Sequence, residues 1–316
     1  MLMSIISLVS GFVLLIWSAD AFTNNGAKIA NIYKISPLII GLLIFGFGTS
    51  APEMLVSGLA AYAGHPQLSI GNAFGSNIFN IALVLGITAI ILPVQVKQDI
   101  LKKEWLYLML VTLVAGALIW DRHLNWGDGI ILLGLLALFL IYTFVESKQS
   151  KHSEFENLAI EVNQAQKGKT WLMLIVSFAV LLGSAQLVVW GGSELAAAFG
   201  VSDLLIGLSV VALGTSLPEL AVSISSALKK QHEMVVGNII GSNLFNTVGV
   251  LAIPSLILPF DVPEEVLTRD YPFMLALTVL LFVFSYKFKK EGVISRVEGA
   301  VLLALIGVYL YLLLWT

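Results

Sequence analysis

SPLIIGLLIFGFGTSAPE, residues 36–53, returns as SDLLIGLSVVALGTSLPE at residues 202–219. The match runs on without a gap: residues 36–80 align on 202–246 at a constant offset of 166, with 20 of 45 positions identical. GNAFGSNIFN (71–80) falls on GNIIGSNLFN (237–246), and Pro93 falls on Pro259. The chain is therefore two copies of one plan.

The copies are built for a bilayer. Of 316 residues 58% are hydrophobic and 12% charged, far too apolar for a soluble globular domain. Crossing the hydrocarbon core takes about 20 mostly apolar residues. The chain offers ten such stretches, with cores near 4–23, 36–63, 71–92, 104–121, 126–146, 171–197, 202–228, 236–259, 270–287 and 294–315. They are continuous and do not alternate, which predicts helices and not barrel strands. The expected fold is all-α integral membrane: ten transmembrane helices in two five-helix repeats. The first repeat covers 1–146 with its motif at 41–80, and the second covers 171–316 with its motif at 207–246. The polar segment 147–170 reads as a linker. No basic leader precedes the first apolar run, so it is expected to be a retained span.

An odd number of spans per copy makes the second copy enter from the opposite side, so the repeats are expected to be inverted. The charges agree. Fifteen of the 17 Lys and Arg residues fall in the connections after spans 1, 3, 5, 7 and 9, and only Arg122 and Arg269 fall on the other side. By the positive-inside rule the linker is cytoplasmic and both termini face out. A prokaryotic cytoplasmic membrane is the expected location.

GTSAPE (48–53) and GTSLPE (214–219) set a proline and a carboxylate in mid-span. An ionisable side chain there costs about 2.5–3.5 kcal/mol on insertion scales, so Glu53 and Glu219 at equivalent positions call for a function. Pro52 and Pro218 each lack an N–H, which deprives the carbonyls of Gly48 and Gly214 of their usual partner and predicts breaks in helices 2 and 7. Helical spacing lines up Thr49, Glu53 and Ser57, with Ser50 close by, and Thr215, Glu219 and Ser223, with Ser216. Asn72, Ser76 and Asn80 form a stripe on span 3, repeated by Asn238, Ser242 and Asn246 on span 8. Gly71, Gly75, Gly237 and Gly241 allow close helix contact.

This oxygen-rich inventory suits hard cations such as Ca2+ or Na+. The sequence holds no cysteine, and His65, His123, His152 and His232 lie in or beside loops, which disfavours zinc or copper. Two negative charges can balance one Ca2+ or two Na+. An H+/Ca2+ exchanger, a passive cation channel and an intramembrane hydrolase using Ser50 or Ser216 stand as alternatives; the last lacks a His or Lys base within the spans. Asp99 with Glu104, and Glu265 with Asp270, match across the repeat and are expected to cap helices or pair with Lys103 and Arg269.

At GTSxPE and GNxxGSNxFN the sequence resembles the sodium/calcium exchanger family, and the likeness extends over all ten spans. That resemblance implies a Na+/Ca2+ antiporter, not an enzyme, with ions held at the midplane between spans 2, 3, 7 and 8 while spans 1 and 6 slide. It implies that Glu53 and Glu219 ligate Ca2+ and Na+ with help from the backbone at Thr49 and Thr215. Ser50, Ser216, Ser76, Ser242 and the carbonyls near Gly46 and Ala212 would serve flanking Na+ sites, and Asn80 and Asn246 would complete the centre. K+-dependent members carry Asp where this chain has Asn246, so no K+ requirement is expected. Loading with three Na+, as in the family, would be electrogenic. Ca2+ and Na+ are thus expected as cargo, with the lipid bilayer as surroundings and no cofactor, nucleic acid or evident protein partner.

Overall fold

The computed structural model describes residues 1–149, 167–200, 212–287 and 291–315. Its long helices are α1 (Leu2–Tyr33), α2 (Pro37–Tyr62), α3 (Gln67–Ile91), α4 (Glu104–Leu118), α5 (Trp126–Gln149), α6 (Lys167–Ala198), α7 (Leu217–Leu228), α8 (His232–Ile257), α9 (Val266–Ser285) and α10 (Arg296–Trp315). Among the described residues, eight are long and apolar enough to cross a membrane, all but α4 and α7. α4 has 15 residues. The seventh expected span is represented by a turn, Ala212–Thr215, and by α7, while residues 201–211 lie outside the described residues.

Burial sorts the helices. α8 is buried on nearly every side and α3 on most, whereas α1, α5, α6, α9 and α10 leave broad apolar faces exposed. His232–Phe245 carries Asn238, Ser242 and Asn243, and all three are buried, so its polar side chains face the protein interior. α1 and α6, each 32 residues and so roughly 48 Å at the usual rise, pack against each other along their length.

Among the described residues, four stretches widen into π-helix: Ile40–Gly46 in α2, Asn80–Leu85 in α3, Asn246–Val250 in α8 and Val266–Asp270 in α9. Two of them start at Asn80 and Asn246, equivalent positions of the repeat. Widened turns of this kind leave backbone groups without their ordinary partners and cluster at functional sites.

The two prolines differ in effect. Ser216, with φ −91° and ψ 3°, interrupts the seventh span, and Pro218 opens α7 just after it, where a missing N–H costs nothing. Span 2 is not interrupted: Phe47–Tyr62 stays α-helical through Pro52. The expected break is absent; a π-helical stretch, Ile40–Gly46, leads into this segment, and Thr49 Oγ1 donates to the Phe45 carbonyl at 2.9 Å.

Among the described residues, two short antiparallel strand pairs lie between the helices, where the apolar pattern gives no sign of them. Val94–Val96, after α3, pairs with Gly292–Ile294, before α10. His123–Leu124, before α5, pairs with Phe260–Asp261, after α8. Each half of the chain thus lends a strand to the other.

Candidate functional site

Glu53 on α2 and Glu219 on α7 are both buried, 2% and 1% exposed. Their surroundings repeat in detail. Asn72 Nδ2 donates to the Glu53 carbonyl at 3.1 Å and to Ser57 Oγ at 3.0 Å. Asn238 Nδ2 donates to the Glu219 carbonyl at 3.2 Å and to Ser223 Oγ at 3.0 Å. In each copy the amide bridges the glutamate's main-chain carbonyl to the serine one turn on, tying α3 to α2 and α8 to α7 at equivalent places.

The carboxyl groups themselves are short of partners. Glu53 Oε2 and both carboxyl oxygens of Glu219 have no hydrogen bond, nor do the side-chain amides of Asn80 and Asn246. All four residues are buried. Buried polar atoms are nearly always paired, and leaving one unpaired costs about 1–3 kcal/mol. Two buried carboxyls and two buried amides short of partners are the kind of oxygen groups a hard cation could satisfy. Among the described residues no group of three or more His, Asp or Glu converges, so the charge here comes from two acids and the remaining donors are neutral.

Thr49, Ser50, Gly46 and Ser242 meet where α2 crosses α8. Thr49 Oγ1 lies 3.2 Å from Ser242 Oγ, Ser50 Oγ donates to the Ser242 carbonyl at 3.5 Å, and Ser242 Oγ donates to the Gly46 carbonyl at 3.5 Å. Glycine makes that crossing possible. A Cβ on Gly46 would stand 2.8 Å from the Gly241 backbone, and one on Gly241 would stand 2.5 Å from the Leu42 carbonyl oxygen. The backbones touch, and hydroxyls of two helices share one pocket.

The other expected residues are placed less directly. Ser76 on α3 and Ser216 before α7 are buried, and Thr215 is half-buried. Ala212 opens the turn Ala212–Thr215, and its side chain is outside the described residues. Three neighbouring polar residues that the sequence reading did not single out, Asn77, Asn243 and Thr247, are also buried, with Asn77 Nδ2 donating to Thr247 Oγ1 at 2.8 Å. The doubled GSN could have drawn attention to both asparagines. Thr247 had no such signal, because its counterpart is Ile81.

A family model described as sodium/calcium exchanger protein matches residues 3–145 and 169–315. The chain is 42% identical to CaxA of Alkalimonas amylolytica over 99% of both chains. It is 34% identical to the inner membrane protein YrbG of Escherichia coli, over 100% of this chain and 98% of the relative. A solved structure of the sodium-calcium exchanger NCX_Mj, soaked with zero Na+ and Ca2+, superposes with a TM-score of 0.85 at 33% identity, over 99% of each chain.

Proposed function

The chain belongs to the sodium/calcium exchanger family, and from that premise we propose that it moves Ca2+ across the membrane against Na+ by alternating access, without a K+ requirement. It is an integral membrane protein of a cation/Ca2+ antiporter family. The observation that carries the finer reading is the pair of buried carboxylates at equivalent positions, Glu53 and Glu219, whose own carboxyl oxygens are short of partners.

In this reading the ions bind at the midplane between α2, α3, α7 and α8. Glu53 and Glu219 supply charge to either load. Thr49 and Thr215 contribute backbone oxygen, and Asn80 and Asn246 turn their amide oxygens to the ion. Ser50, Ser76, Ser216 and Ser242, with the carbonyls of Gly46 and Ala212, hold flanking Na+. Two acids neutralise one Ca2+; several Na+ give back the same charge and fill more of the neutral oxygens, so the two loads compete. Access alternates as α1 and α6 slide along the core. Asn246 is neutral, which removes the third carboxylate that a K+ would need for balance.

The ten spans are taken as two inverted repeats, 1–146 and 171–316, with 147–170 as a cytoplasmic linker and both termini outside, in a prokaryotic cytoplasmic membrane. The strand pairs support this parity. One joins the connection after span 3 to the connection after span 9, and the other joins those after spans 4 and 8. Each pair needs its two connections on the same side, as ten crossings provide.

Proteoliposomes loaded with Na+ and diluted into Na+-free buffer should take up 45Ca2+, with the same rate in K+ and in choline. Uptake driven by a pH gradient without Na+ would instead select H+/Ca2+ exchange. Failure of both, or a Glu53→Gln variant that transports normally, would overturn the reading.

A further inference from the structure

Away from the midplane the repeat is broken at one buried acid. Glu104, at the start of α4, corresponds to Asp270 in α9 by the same offset of 166, as Lys103 corresponds to Arg269 and Thr143 to Tyr309. Asp270 is closed off by its own half: Arg269 grips it with Nε to Oδ1 at 2.7 Å and Nη2 to Oδ2 at 3.2 Å, and Tyr309 donates its hydroxyl at 3.0 Å. Glu104 has neither device. Lys103 turns away to pair with Glu146, and Thr143 donates to the Phe139 carbonyl. Glu104 is 4% exposed, yet its Oε2 has no hydrogen-bond partner.

What Glu104 does line is a cavity of about 190 Å³ at the lysine-rich face, between the starts of α2, α4 and α8 and the end of α5. Asp99, Glu146 and Glu233 also line it, with Lys97 and Lys103, so four carboxylates and two ammonium groups leave two negative charges in excess. Lys97 pairs with Glu233 and Lys103 with Glu146. The volume holds roughly six waters at 30 Å³ each.

We propose that this cavity is a second cation site, separate from the midplane centre, which takes a hydrated divalent ion of the Mg2+ class with Glu104 as its anchoring carboxylate. The charge excess matches one divalent ion. Among the described residues no three acids converge closely enough to strip an ion of its water, so an all-protein Ca2+ cage is not built here. Mg2+ keeps several waters and binds through one or two carboxylates, which is what an aqueous pocket with one unpartnered buried acid provides. The retained waters reach Glu146 and Glu233, which stay with their lysines.

The purified full chain in nanodiscs, with Glu53→Gln and Glu219→Gln to remove the midplane acids, is titrated with Mn2+ as a paramagnetic stand-in for Mg2+ and followed by EPR. One Mn2+ per chain is expected, displaced by millimolar Mg2+ and still coordinated by several waters in 17O-water ENDOR. Glu104→Gln should lose it, and Asp270→Asn should keep it. Lys103→Gln deepens the negative potential and should tighten Mn2+ on the order of fivefold, a gain that misfolding cannot imitate. Absence of bound Mn2+, its survival in Glu104→Gln, an unchanged affinity in Lys103→Gln, or an ion stripped of its water would each overturn the proposal. Transport at the midplane is scored separately by 45Ca2+ uptake in the unmodified chain, so either result can fail without the other.

Discussion

Two pairs of buried acids divide the molecule. Glu53 and Glu219 are buried at equivalent positions, and in each copy an asparagine bridges the glutamate carbonyl to a serine with the same geometry. At the outer rim, Glu104 and Asp270 occupy equivalent places and share almost nothing: one faces a cavity, the other is locked by an arginine and a tyrosine. On the proposed reading, with inverted repeats around one midplane site, both halves serve the same ions at the centre while the two rims face different solutions, so symmetry is expected to be kept where the copies share a ligand and lost where they do not.

If that division is right, substitutions at the midplane should act alike in both copies and substitutions at the rim should not. Glu53→Gln and Glu219→Gln should each cut Na+-driven 45Ca2+ uptake by on the order of a hundredfold, as expected when a buried charge contact worth about 3 kcal/mol is lost. A large difference between the two would break the equivalence. At the rim, Arg269→Gln strands a buried Asp270 and should cost about 3 kcal/mol, read as a clear fall in thermal unfolding temperature. Lys103→Gln removes only a half-exposed pair with Glu146 and should cost less than about 1 kcal/mol. Equal losses would make the rims symmetric after all.

Smaller effects probe the seam and the bridges. Gly241→Ala forces a methyl toward the Leu42 carbonyl and should destabilise by roughly 1–3 kcal/mol in the same assay. Asn72→Ala and Asn238→Ala each remove two hydrogen bonds. They should weaken Ca2+ binding by a similar factor, about 1 kcal/mol or roughly fivefold, measured by calorimetry.

Much of this was legible in the sequence because it was written twice. A carboxylate in a membrane span, a proline beside it and a stripe of amides are each ambiguous alone, but recurrence at a fixed offset removes accident as an explanation. Thr49, Ser50, Gly46 and Ser242 do converge, as helical spacing required of residues on facing helices. Features that depend on only one copy were hidden. Thr247 receives Asn77 across the centre, yet nothing in its own half marks it. Pro52 pointed to a break that the helix does not make, since Phe47–Tyr62 stays α-helical through it, whereas Pro218 does follow an interruption at Ser216. The three-residue strands are too short to show alternation. Glu104 could be read as a cap or an ion-pair partner of Lys103; only the fold reveals that Lys103 reaches Glu146 and leaves the acid facing a cavity.

The strand pairs also set a schedule for biosynthesis. Val94–Val96 leaves the ribosome early, but its partner Gly292–Ile294 lies just ahead of the last helix. At ordinary elongation rates the wait is on the order of ten to forty seconds. For that interval the nascent first half carries an open strand edge, the kind of surface on which wrong partners assemble. A chain truncated anywhere before Gly292 keeps that edge permanently, so premature termination late in the message should yield a protein that inserts its spans but is recognised by membrane quality control as unfinished.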